Sequence, residues 1–285
     1  WKFIEMRAAE LPGHAKANFH DIPDAAFDAA VKLIEESRVQ VYCFGSAVMN
    51  WAKKLEDPFE ITLGEVKRCL PRMNRLGTKF VRIMSFKPGD EEYRTPAEVF
   101  RRVKDVTNMF LDAGIQPVHE NCMNYGGMSW QHTLDLLDKC PGLKLVFDTA
   151  NPVFNPDRSK PKLWPRQDSW EFWTNVRDHV VHIHVKDATW DKSKNTETYN
   201  WPGEGQGYVR EILQDAKKRG YDGGVSIDVV PVYLEPRHEV SIEKVDLPAN
   251  IRRSQPFDLR VVLRNDAPEG SSDAIAGKLV VIRKS

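Results

Sequence analysis

Short runs rich in β-branched and aromatic residues alternate with longer stretches of helical period from the start of the chain to about residue 232. The strand-like runs cover 2–7, 39–44, 80–84, 115–120, 143–148, 180–186 and 224–229. Amphipathic stretches over 24–37, 63–76, 96–113, 130–138, 169–177 and 208–219 fill the gaps between them. In 96–113 the apolar positions Val99, Phe100, Val103, Val106, Met109 and Phe110 recur at helical spacing and form one stripe. Thr95 supplies an N-cap there, Pro96 takes the first helical position, and Gly114 ends the helix. Alternation this regular predicts an α/β fold with a parallel sheet, either doubly wound or a barrel.

The pattern within the strands favours a TIM (β/α)8-type barrel. Phe3/Glu5/Arg7, Phe80/Arg82/Met84, His182/His184/Lys186 and Ser226/Asp228 each share one face. Ile4/Met6, Val81/Ile83, Ile183/Val185 and Val225/Ile227 make the opposite face, apolar and suited to a coat of helices. So polar an inner face needs an enclosed, wet interior, whereas a sheet covered on both sides reads more uniformly apolar. Seven strands are visible where closure takes eight, and the missing first strand is expected before Trp1. From Glu235 the texture changes to period-two runs, 240–245, 257–263 and 278–283, between turn-rich stretches. The barrel is therefore assigned to 1–234, and 235–285 to a partial immunoglobulin-like β segment too short to fold alone.

Composition narrows the function. Lys+Arg and Asp+Glu both number 41, so the formal charge is zero and no basic field is available to hold a phosphate backbone. Nucleic acid is not expected as a partner. No apolar run approaches the ~20 residues needed to span a bilayer, so no membrane association is expected. Four scattered cysteines, Cys43, Cys69, Cys122 and Cys140, read as reduced thiols in a cytoplasmic compartment. The chain opens on Trp1, and any targeting segment ahead of it is outside the sequence. A homo-oligomer stays open.

Chemistry concentrates at the strand ends. Glu120, Asp148, His184 and Asp228 each close a strand-like run, at intervals of 28, 36 and 44 residues, the size of a βα unit. On neighbouring parallel strands these groups reach one mouth, where carboxylates and an imidazole make a divalent-metal site.

Seven short motifs resemble, in order and at βα spacing, the xylose-isomerase-like barrel superfamily of sugar phosphate isomerases and epimerases, which also contains endonuclease IV. They are Ile4-Glu-Met-Arg, Phe80-Val-Arg-Ile, His119-Glu-Asn, Phe147-Asp-Thr-Ala-Asn, His182-Ile-His-Val-Lys-Asp, Pro202-Gly-Glu-Gly-Gln-Gly and Val225-Ser-Ile-Asp. The resemblance implies one divalent ion, Mn²⁺, Mg²⁺ or Co²⁺ with Zn²⁺ also allowed, on Glu120, Asp148, His184 and Asp228. The family's usual fourth ligand is Glu, so Asp228 is one methylene short. It further implies Glu120 and Asp228 as an acid/base pair that moves a proton through an enediolate in a small sugar, sugar acid or polyol. That chemistry gives isomerisation or epimerisation. The alternatives are dehydration of the inosose type on the same scaffold and a degenerate, non-catalytic barrel. An endonuclease-IV-like reading needs several zinc ions and therefore additional His and acidic ligands, which are hard to assemble from the eight histidines present, and the neutral charge also counts against DNA.

Other residues have weaker claims. Lys186 is placed to meet a substrate hydroxyl or phosphate, and Asn151 stands where several epimerases of this family carry a substrate-binding histidine. His182 reads as a core or supporting histidine beneath His184. Glu5 and Arg82 read as an ion pair below the site, with Arg82 also a substrate-binding candidate. The glycine-rich loop around Glu204 offers backbone N–H groups to an anionic or hydroxyl-rich ligand. Trp164, Trp170, Trp173, Trp190 and Trp201 cluster in the mouth loops, as sugar-stacking or packing residues.

Overall fold

A computed structural model describes residues 2–11, 14–227, 240–246 and 260–265. β1 (Phe3–Met6) leads into a hairpin of β2 (Ala8–Leu11) and β3 (His14–Asn18), then α1 (Asp24–Glu36). Strict alternation follows: β4 (Gln40–Gly45), α2 (Phe59–Leu76), β5 (Phe80–Ile83), α3 (Ala97–Asp112), β6 (Gln116–Glu120), α4 (Trp130–Lys139) and β7 (Lys144–Asp148). Next come the single-turn α5 (Asn151–Phe154), α6 (Ser169–Val176), β8 (Val180–Val185), and a hairpin of β9 (Asp187–Asp191) and β10 (Thr196–Asn200). α7 (Val209–Lys218) and β11 (Gly224–Ile227) complete the series.

Seven strands, β1, β4, β5, β6, β7, β8 and β11, lie parallel in that spatial order. The sheet therefore advances one βα unit at a time, and all seven runs read from the sequence are in it. It is a near-closed α/β barrel. β1 and β11 are its two ends, and no eighth strand joins them among the described residues. Curvature nevertheless brings Glu5 of β1 to 2.8 Å from His184 of β8 across the interior.

Helices coat the outside because each carries one apolar stripe. In α3, Val99, Val103, Val106 and Phe110 are all fully buried, and each such side chain is worth roughly 1.5–3 kcal/mol of transfer free energy. The cap differs from the expected one: Pro96 itself is the N-cap residue, and the helix starts at Ala97. The fixed φ of Pro96 sits with ψ at 147°, an extended conformation that ends the preceding loop. Inside the barrel, Cys43, Val118 and Val146 form a small apolar plug. The functional layer rests on it.

Two features depart from the sequence reading. The hairpins β2/β3 and β9/β10 were not legible as strands, because residues such as Thr196-Glu-Thr-Tyr-Asn lack apolar alternation. The outer face of β11 is not fully coated either: Val225 and Ile227 are each 52% exposed.

The four cysteines are free and buried. No helix among the described residues is long and apolar enough to cross a membrane. The chain divides into two compact units, Trp1–Asp228 and Val229–Ser285. In the second, β12 (Val240–Asp246) and β13 (Arg260–Asn265) pair antiparallel. The expected run 278–283, and with it the immunoglobulin-like arrangement, lies outside the described residues.

Candidate metal and active site

β6, β7 and β8 carry Glu120, Asp148 and His184 to one point of the interior. Sheet register sets Asp148 directly beside His184, and Glu120 beside Val146 one step along the same face. One ligand atom from each of the three lies within 4.8 Å of the others. The site is deep: the three residues are 5%, 0% and 5% exposed. Asp228 lies outside the described residues.

Each group is held differently. Glu120 Oε1 accepts from Asn151 Nδ2 at 3.1 Å, while Oε2 faces Arg82 NH1 at 3.0 Å. Burial pushes this carboxyl up, but the combined positive charge of Arg82, His184, Lys186 and Arg7, Arg82 foremost, outweighs it and holds Glu120 well below the usual carboxylate range. Asp148 Oδ1 caps the first turn of α5 by accepting from the backbone N–H of Ala150 and Asn151, both at 2.8 Å. Its Oδ2 is 2.8 Å from Lys186 Nζ. Here burial dominates and raises the carboxyl despite the neighbouring ammonium. His184 donates from Nε2 to Glu5 Oε2 at 2.8 Å. Burial alone would lower its pKa; the Glu5 carboxylate reverses this and lifts it to about 9. Glu5 is in turn held at about 2, burial opposing and His184 prevailing.

The residues fit a divalent cation. Glu120 Oε2 and Asp148 Oδ2 are both buried and each faces a cation, Arg82 NH1 at 3.0 Å and Lys186 Nζ at 2.8 Å, so two anionic oxygens point into the cluster. Three carboxylates, buried Glu120 and Asp148 and half-buried Glu5, face two fixed cations, Arg82 and Lys186, so the third positive charge is the titratable proton of His184, which a bound cation would replace. Oxygen and imidazole donors suit a hard or borderline ion.

The other candidates divide. Asn151 and Lys186 join the cluster: Lys186 Nζ donates to Asn151 Oδ1 at 2.9 Å, so Asn151 bridges Glu120 and Lys186. His182 is buried with Nε2 at 3.0 Å from Ser226 Oγ, the supporting position expected of it. The expected Glu5–Arg82 pair does not form; His184 offers Glu5 an aligned N–H, and Arg82 turns to Glu120 and to the Ser46 carbonyl. Glu204 is exposed, and its loop does not present free N–H groups. The amides of Gly203, Gly205 and Gly207 all donate to Asp187, at 2.8, 3.0 and 2.8 Å. Asp187, buried and not singled out from the sequence, is the anion of that loop. Trp173 packs on Phe147 and bonds Asp215, and Trp170 packs beside it. Trp164 and Trp190 lie under Arg158 and Arg166, which leaves Trp201 exposed.

A near-closed β/α barrel with acidic and imidazole donors at the carboxyl ends of its strands is the architecture of a barrel enzyme. The model of the xylose isomerase-like TIM barrel family matches residues 2–247, and the chain belongs to that family. Fructoselysine 3-epimerase of Escherichia coli O157:H7 is 31% identical over 67 residues. That stretch is 23% of this chain and 23% of the relative, so the match spans about a quarter of the relative's length. A xylose isomerase-like TIM barrel protein from Mycobacterium smegmatis in complex with magnesium has a similar fold, with TM-score 0.60 and 15% identity over 81% of this chain and 78% of that one. The probable 3-DHS dehydratase AsbF of petrobactin synthesis from Bacillus anthracis is also similar, with TM-score 0.55 and 16% identity over 73% and 77%.

Proposed function

We propose that this chain is a divalent-metal-dependent isomerase or epimerase of a small sugar, sugar acid or polyol. The observation that carries this reading is the buried meeting of Glu120, Asp148 and His184 within 4.8 Å. Family membership and the short match to a fructoselysine 3-epimerase support it. Glu120, Asp148 and His184 would hold Mn²⁺, Mg²⁺, Co²⁺ or Zn²⁺, with Asp228 as the fourth donor. When bound, the ion supplies the positive charge that acidifies a C–H beside a carbonyl and steadies the resulting enediolate.

The protein side chains do the rest. Glu120 stays ionised at neutral pH because Arg82 stabilises its charge, so it stands ready to accept a proton from substrate carbon. Asn151 fixes the direction of Oε1. Asp228, by family resemblance, would be the group that returns the proton. Lys186, beside Asp148 and Asn151, meets a substrate hydroxyl.

Solvent-deuterium exchange into a panel of ketoses and inososes, with Mn²⁺-loaded protein, tests the reading. Exchange is expected in at least one sugar, and Glu120→Gln should abolish it while the circular dichroism stays native. Absence of exchange across the panel overturns the proposal. Loss of water from an inosose without return of the proton would instead favour the dehydratase, the reaction class of one fold relative.

A further inference from the structure

Glu5 belongs to β1, at the far end of the sheet from the strands that carry the cluster, yet its carboxylate meets the one imidazole in it. Oε2 accepts from His184 Nε2 at 2.8 Å and lies 3.8 Å from His182 Nδ1. Nε2 is thereby committed, and His184 Nδ1 makes no hydrogen bond among the described residues. The geometry is built rather than incidental. Gly45 of β4 lies against Glu5, and a Cβ added there would stand 3.2 Å from Oε1, so the missing side chain makes room for the carboxylate. His182, itself fixed by Ser226, packs edge-on against the His184 ring at 4.7 Å between centroids and limits its rotation.

We infer that Glu5 is a positioning residue for the metal: by engaging Nε2 it fixes the tautomer and orientation of His184 and leaves Nδ1 as the nitrogen that would ligate beside Glu120 and Asp148. This rests on the metal-site reading above. A carboxylate on the outer nitrogen of a ligating histidine both aims the ring and raises its donor strength, an effect worth about 10–100-fold in metal affinity. Glu5 never touches the substrate in this arrangement. Its influence passes through the imidazole.

Two readouts test it in the full-length protein. Titration with Mn²⁺ alone, by calorimetry or electron paramagnetic resonance, should show affinity about 10–100-fold weaker in Glu5→Ala. Glu5→Gln, which keeps an acceptor but loses the charge, should fall between the two, and being isosteric it guards against a folding failure. Independently, metal-free wild type should show a downfield imidazole N–H proton resonance from His184 that Glu5→Ala lacks. Unchanged Mn²⁺ affinity in folded Glu5→Gln and Glu5→Ala overturns the inference. If wild type binds no Mn²⁺, the metal reading fails. The proton resonance then still decides whether Glu5 orients His184, and its absence from wild type overturns the inference separately.

Discussion

Arg82 sits where stability and reactivity pull in opposite directions. Its guanidinium is buried against Glu120 Oε2, and breaking such a pair from one side leaves an uncompensated charge, at a cost of about 3–5 kcal/mol. Arg82→Met should therefore lower the unfolding free energy of the metal-free protein by that order, read as a lower urea midpoint at unchanged m-value. Mn²⁺ should restore part of the loss, because an added cation compensates the same carboxylate. An unchanged midpoint would show that Glu120 does not depend on this partner. The Glu5–His184 pair predicts a pH dependence of stability. Glu5 is depressed from 4.5 to about 2, so its contribution is present above pH 4.5 and lost as pH falls toward 2. His184 is raised from 6.5 to about 9, so its contribution is complete below pH 6.5 and lost as pH climbs toward 9. The two shifts report one interaction and are not added; it is on the order of 3 kcal/mol. Metal-free wild type should thus show a stability maximum between about pH 4.5 and 6.5 that Glu5→Gln flattens. Thermal unfolding across pH 3–10 (a range of about seven units) reads it directly.

The loop after β10 shows what an element's sequence does and does not reveal. Three alternate glycines, Gly203, Gly205 and Gly207, announce close backbone approach, but not to what. The approach is to Asp187: a Cβ at Gly205 or Gly207 would fall 2.3 or 2.8 Å from Asp187 Oδ1. The sequence pattern thus pointed to an anionic or hydroxyl-rich ligand, and the acceptor came from the protein itself, sixteen or more residues before the glycines. Asp187→Asn keeps one acceptor oxygen and turns an NH2 toward backbone N–H groups. It should cost about 1–3 kcal/mol through unsatisfied amides and open 201–207 to limited proteolysis. Proteolytic resistance equal to wild type would count against Asp187 as the organiser. Strands were legible wherever burial imposes a pattern, as in Leu145–Phe147 or Val81–Ile83. The two hairpins were not, because ladder pairing at the surface asks nothing of side-chain polarity. At the site, strand-end position and spacing identified Glu120, Asp148 and His184. Their partners, Arg82 for Glu120 and Glu5 for His184, depend on barrel curvature and rotamer, which no local pattern records.

At the scale of the molecule, seven parallel strands leave two ends that hydrogen bonding between β1 and β11 does not join among the described residues. Interior side chains span the opening instead. Glu5 reaches β8, and Tyr42 of β4 accepts from the backbone N–H of Gly224 at 2.8 Å. Gly224 permits this because the Tyr42 ring occupies the space of a Cβ, 2.3 Å from Tyr42 Cε1. The same ring stacks on Phe80 and lies edge-on to His182, so the tie is anchored in the layer beneath Glu120, Asp148 and His184. Tyr42→Phe keeps both ring contacts and removes only the oxygen. The amide of Gly224 then loses its acceptor, which should cost about 1–3 kcal/mol. Hydrogen exchange should accelerate in peptides covering 221–227 and stay unchanged over 144–148, whose strand is paired on both sides. Equal protection in both peptides would mean that β11 is held by its pairing with β8 alone. Faster exchange in both would mean that the tie at Tyr42 supports the whole interior, and through it the floor on which Glu120, Asp148 and His184 stand.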